Sequence, residues 1–189
     1  MKKCVFAVFL LLLLCGCQKT KPEYIISSIG FDSKDGKFNT CFEAIILNSE
    51  KDDQELKLLS GSGKTVEQSI SKIKRQCTQP LLLSHCAVLA VGESVSKKQL
   101  NQIYDYCYNQ REITLSAVFV KTENAKKLLS RKPVSTVCVG YDVLGLLEQY
   151  SNFKNVNFKN RYFEIMALRT KVTLPNIALT KEGYYFENY

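Results

Sequence analysis

Histidine is almost missing from this 189-residue chain: His85 is the only one. A Ser-His-Asp triad or a His-rich metal site would therefore have to be built on that residue alone. A Cys-His nucleophile pair would need Cys86 or another cysteine near it, plus an orienting partner, and nothing in the sequence supplies that context. His85 reads as a structural residue at the start of a strand. Cysteine is plentiful, at eight, but no two fall in a CxxC or similar zinc-ligand spacing. No apolar run reaches the roughly 20 residues of a spanning helix. There is no block of like charge, no internal repeat and no low-complexity segment. The formal net charge is +8, yet no basic stripe with interleaved aromatics appears, which speaks against nucleic-acid binding.

The longest apolar run is Cys4 to Cys15, behind Lys2 and Lys3. Its length, its basic flank and its small-residue ending fit a secretory signal peptide. The ending, Leu14-Cys15-Gly16-Cys17, resembles a bacterial lipobox. That resemblance implies cleavage after Gly16 and a lipid thioether on Cys17. Two or three acyl chains, palmitate being the expected type, would hold the protein stably on the outer face of a membrane, where one would be marginal. Residues 1–16 are thus expected to be the signal peptide and 17–23 a lipidated tether. Lipidation at Cys17 is the only site chemistry assigned; catalytic, cofactor and metal residues are expected to be none.

The stretch Gly61-Ser62-Gly63-Lys64-Thr65 looks like the end of a phosphate-binding loop. A P-loop reads GxxxxGK[ST], and its first glycine makes the turn that aims backbone N–H groups at phosphate. Here Leu58 stands at that position, so nucleotide binding is not expected. Thr65 with Gln68 instead forms a capping box. Val66, Ile70, Ile73 and Cys77 then fall on one helical face. The two glycines are read as a bend into that helix.

Before it, Tyr24 to Phe31 and Phe38 to Leu47 read as a hairpin around Asp35-Gly36, and Glu55 to Leu59 as a short third strand. After it come a buried strand at Cys86 to Val91 and a helix started by Ser96 and Gln99. A strand is expected at Ile113 to Val120. A helix capped by Thr122 should turn Ala125, Leu128 and Leu129 inward and stop at Arg131-Lys132-Pro133. Two further helices are expected at Tyr141 to Tyr150 and Phe158 to Arg169. Val172 to Leu179 reads as a loop or strand broken by Pro175, and the final residues show no partner. The expected class is α+β: one mixed β-sheet, an N-terminal β-hairpin plus helix-strand-helix-strand, with helices packed mainly on one face. Without Cys4, Cys15 and Cys17, five cysteines remain: Cys41, Cys77, Cys86, Cys107 and Cys138. Small buried thiols are the expected state; an odd count leaves at least one free or paired between chains.

The ordered series of these segments resembles the C-subunit lipoproteins of spore germinant receptors, the Ger(x)C family, in their N-terminal domain. It carries a lipobox, then Ile29-Gly30-Phe31-Asp32, then Ser62-Gly63-Lys64-Thr65-Val66-Glu67. His85 leads an apolar strand ending in Gly92-Glu93. Arg111-Glu112-Ile113 and the Ala-Lys-Lys-Leu-Leu helix at 125–129 follow. The resemblance implies a non-enzymatic lipoprotein subunit working with A-type and B-type integral membrane subunits, in the spore inner membrane, to start germination. It places the N-terminal domain at 24–175 and makes 176–189 the start of a truncated second region. Two other classes stand beside it. A solute-binding lipoprotein of a transporter normally has two lobes and a cleft between them. A lipoprotein enzyme would need a nucleophile–base pair, a metal cluster or paired carboxylates, and no such motif is recognisable.

Overall fold

The computed structural model describes residues 23–48, 53–114, 116–154 and 174–187. The chain runs β1 (Glu23–Lys34), β2 (Lys37–Asn48), β3 (Asp53–Gly63), α1 (Val66–Lys74), β4 (Leu81–Leu82), a 3-10 turn (Leu83–His85) and β5 (Val88–Gly92). It continues with α2 (Lys97–Asn109), β6 (Val118–Thr122), α3 (Ala125–Leu129), α4 (Val139–Lys154), β7 (Asn176–Leu179) and β8 (Tyr184–Glu187). The strands form one eight-stranded sheet in the order β3-β2-β1-β5-β6-β7-β8, with β4 beside β1. Pairing is antiparallel from β3 to β1, parallel from β1 through β7, and antiparallel again at β8. The expected α+β class with one mixed sheet is what the chain adopts.

The hairpin closes through Asp35 and Gly36, whose φ angles of 52° and 72° are what a tight two-residue turn requires. A bulge between Ile26 and Ser28 then decides which side chains meet. Strict alternation would put Ile26 and Ile29 on opposite faces; the extra residue, Ser27, lets both join one cluster. That cluster holds Ile29, Phe31, Phe42 and Leu89 against Ile70 and Ile73 of α1 and Ile103 of α2. Phe119 of β6 meets Tyr104 edge-on, with ring centroids 4.9 Å apart. The intervening residues Val88, Ala90, Val118 and Val120 form a second cluster with Leu128 and Leu129 of α3 and Val143 and Leu147 of α4. Helices α1 and α2 pack on the first cluster, and α3 and α4 on the second.

Several local expectations change. Gly61 and Gly63 are not a bend; β3 runs through both and pairs with Thr40 and Phe38. They are glycines because α1 lies directly on them. A Cβ at Gly61 would stand 2.2 Å from the Ser69 carbonyl oxygen, and one at Gly63 2.5 Å from the Ser69 nitrogen. Gly61→Ala is expected to lower stability by about 1–3 kcal/mol, measured by urea unfolding against wild type. A loss under about 0.5 kcal/mol, within ordinary surface scatter, would contradict the close approach of helix to strand.

Thr65 does cap α1, accepting from the Gln68 nitrogen at 3.2 Å. The Gln68 side-chain oxygen accepts in return from the Lys64 nitrogen at 3.0 Å, one residue before the cap. The helix ends at Lys74, so Cys77 lies past it. The strand expected at Ile113 begins only at Val118, because the backbone before it is turned: the Ile113 nitrogen donates to the Gln110 carbonyl and the Ala117 nitrogen to the Thr114 carbonyl, both at 3.1 Å. Thr122 remains in β6, paired with Gly92. Asn124 caps α3 in its place, accepting from the Lys127 nitrogen at 2.7 Å. The final residues do have a partner: Tyr184 to Glu187 pairs with β7. The helix expected at 158–169 lies outside the described residues, as do the signal segment and Cys17.

Candidate functional site

The features that stand apart from an ordinary core are three buried carboxylates, Asp32, Glu43 and Asp142. A buried carboxylate needs hydrogen-bond donors to compensate for lost water. All three find them mainly in backbone N–H groups on the α3–α4 side. Asp32 accepts from the Ala125 and Lys126 nitrogens, both at 2.9 Å, and so holds the first turn of α3. Glu43 accepts from Val139 at 2.7 Å and Gly140 at 2.9 Å, holding the first turn of α4. The Ser27 hydroxyl, aimed by the bulge, donates to the same carboxylate at 2.8 Å. Asp142 takes the Val134 nitrogen at 2.5 Å, the Ser135 hydroxyl at 2.9 Å and the Tyr184 hydroxyl at 2.5 Å. It pins the loop before α4 to strand β8.

Two glycines make room for this set. A Cβ at Gly92 would lie 2.0 Å from Asp32 Oδ1, and one at Gly140 1.8 Å from Ser28 Oγ. Burial pushes the Glu43 carboxyl up, against the opposing hydrogen bonds of Gly140, Ser27 and Val139. At Asp142 burial also acts upward, but the bonds from Tyr184, Val134, Thr136 and Ser135 outweigh it and hold the carboxyl well below its usual range. The Tyr184 hydroxyl is raised in turn, by burial and by Asp142. These oxygens are occupied by backbone and hydroxyl donors, so the carboxylates act as clamps for α3, α4 and the loop between them.

The five cysteines are free thiols, and all but Cys77 are buried. Burial pushes Cys41 and Cys86 up to about 12 and Cys107 well above its ordinary value, which disfavours the reactive thiolate. His85 is exposed at the end of the 3-10 turn, three residues before β5. Among the described residues no group of three His, Cys, Asp or Glu side chains is placed to hold a metal ion. Asp32 belongs to a segment singled out in the sequence, though not for this contact. Glu43 and Asp142 were missed. Glu43 carries a readable signal: a lone acid inside the apolar strand Cys41-Phe42-Glu43-Ala44-Ile45.

A cleft of about 550 Å³ opens beside Asp32 at the hairpin end of the sheet, where Ser60 and Ser62 of β3 meet Asn124 and Lys126. The glycine-rich stretch thus lines a cavity, with Asn124 and Lys126 among the residues across from it.

A model of the spore germination protein N-terminal domain matches residues 23–179. The chain belongs to that family. No curated protein and no solved structure matches it. The match to this germination domain spans β1 through β7 and includes Asp32, Glu43 and Asp142. It gives the protein a role in spore germination. No described helix is long and apolar enough to cross a membrane, which says nothing of strands.

Proposed function

We propose that the protein is a non-enzymatic, membrane-anchored lipoprotein subunit of a nutrient germinant receptor. It acts with A-type and B-type integral membrane subunits on the outer face of the spore inner membrane. Membership of the germination domain family over residues 23–179 carries the reading. The lipobox-like Leu14-Cys15-Gly16-Cys17 supports the anchor. In this reading residues 1–16 are removed, Cys17 carries the lipid, and 17–23 tether a domain that begins with β1. Lys19 and Lys21 then supply positive charge next to the lipid, which favours anionic headgroups. The domain offers its partners an α+β body built on one mixed sheet.

Cys17→Ala should abolish lipidation and release the protein from the membrane fraction. Fractionated dormant spores, probed with an antibody to the domain, read this directly. Wild type in the inner-membrane fraction and the variant absent from it is the expected result. Unchanged membrane retention of the variant would refute the anchor. Absence of the wild-type protein from spores, with presence on growing cells, would overturn the receptor reading in favour of a transporter lipoprotein.

A further inference from the structure

We propose that the cleft at the hairpin end of the sheet is a binding site for a small organic anion bearing carboxylate or phosphate groups. Its volume, about 550 Å³, lies within the roughly 300–1,000 Å³ of small-molecule sites. The floor is the β2–β3 ladder, where Asn39 pairs with Ser62 and Cys41 with Ser60. Asn124 and Lys126 form one wall, and Lys34 stands at the rim.

The chemistry of the lining is lopsided. The side chains of Asn39, Ser60 and Ser62 make no hydrogen bond among the described residues, and Lys34 and Lys126 make no ion pair there. These are half-exposed donors and exposed positive charges that stay open to solvent and to a ligand. The one carboxylate in the wall, Asp32, already has each oxygen on a backbone N–H of α3. Lys126, in the first turn of α3, lines the same cleft as Cys41 of the floor. A ligand that completes this site must bring acceptors and negative charge. Two ammonium groups flanking hydroxyl and amide donors suit carboxylate or phosphate oxygens. An unfunctionalised apolar molecule would leave those donors dry. The site is built wholly from described residues, so it does not depend on the receptor reading.

The test is equilibrium dialysis of the full chain in nonionic detergent, with labelled citrate and labelled inorganic phosphate as separate probes at matched ionic strength. At least one probe should bind saturably at one equivalent. Lys34→Ala with Lys126→Ala should weaken it about tenfold or more, as expected for loss of two charge-assisted contacts. Asn39→Ala with Ser62→Ala, which keeps the charge, should weaken it several-fold. Lys74→Ala with Lys97→Ala removes the same charge from exposed positions elsewhere and should leave it unchanged. Preference for citrate would identify a carboxylate ligand, and preference for phosphate a phosphorylated one. The proposal is overturned if neither probe saturates. It is equally overturned if the distant lysine pair matters as much as the cleft pair, or if folded cleft variants, checked by circular dichroism, bind as wild type does.

Discussion

Replacement of Glu43 by alanine is expected to destabilise the protein by about 3 kcal/mol or more. The carboxylate is almost fully buried and serves three donors: the Val139 and Gly140 nitrogens and the Ser27 hydroxyl. Removing it leaves those donors without an acceptor, at about 1–3 kcal/mol for each buried group left unsatisfied. The Ser27 hydroxyl already has a second acceptor in the Glu43 carbonyl, so the two α4 nitrogens dominate. Glu43→Gln preserves the volume and one acceptor oxygen, and should cost about 2 kcal/mol. Urea unfolding of both variants measures this. An alanine variant within about 0.5 kcal/mol of wild type would mean that α4 does not depend on the clamp.

A pH series separates charge from packing. Burial raises Glu43 above its ordinary 4.5. The folded state therefore holds the proton more tightly than the unfolded chain. The stability linked to that proton is fully present below the ordinary value and is lost as pH rises through the folded one. The advantage of wild type over Glu43→Gln should narrow as pH climbs above 4.5. A gap that widened over that range would show that the three donors outweigh burial.

Much of the architecture was legible because it rests on local chemistry. Asp35-Gly36 announces its turn, Thr65 and Ser96 announce their helices, and the unbroken apolar run of β5 announces a buried strand. What was not legible depends on approach in three dimensions. Gly61 and Gly63 look like a bend until α1 is laid across them; their lack of side chains is set by a helix that follows in sequence and returns in space. Thr122 looks like a cap until β6 is seen to extend through it by pairing with β5. The carboxylate clamps are hardest of all. Asp32 and Ala125 are 93 residues apart, and Glu43 and Val139 are 96 apart. No spacing rule joins an acid to a helix start at that distance. The bulge at Ser27, which turns a serine toward Glu43, has no signature in the sequence either. The cleft shares this character: Ser60 and Ser62 come from the glycine-rich stretch, but its opposite wall comes from α3.

Asp142 should respond to pH in the opposite sense to Glu43. Its carboxylate accepts from Val134, Ser135 and Tyr184, and these bonds hold it well below its ordinary 3.8 despite burial. A depressed acid contributes stability that is present above the unfolded value and lost as pH falls through the folded one. Asp142→Asn keeps the shape but turns an amide N–H₂ toward groups that are themselves donors. It is expected to cost about 2 kcal/mol at neutral pH, the scale of a hydrogen-bond set to a charged acceptor. The figure is set below that for Glu43→Ala because the clamped loop lies near the surface, where Val134 and Val137 are exposed and water can replace part of what is lost. Tyr184→Phe removes one of the same bonds and should cost about 1.5 kcal/mol. The double variant should lose less than the sum, since both act on one contact. On acidification below 3.8 the gap between wild type and Asp142→Asn should close, because the wild-type carboxylate is then being protonated in the unfolded chain and, further down, in the folded one. Urea unfolding from neutral pH to pH values under that point reads the trend. A gap that stays constant would mean that the loop is held by packing alone, and that strand β8 does not need Asp142 to stay on the sheet.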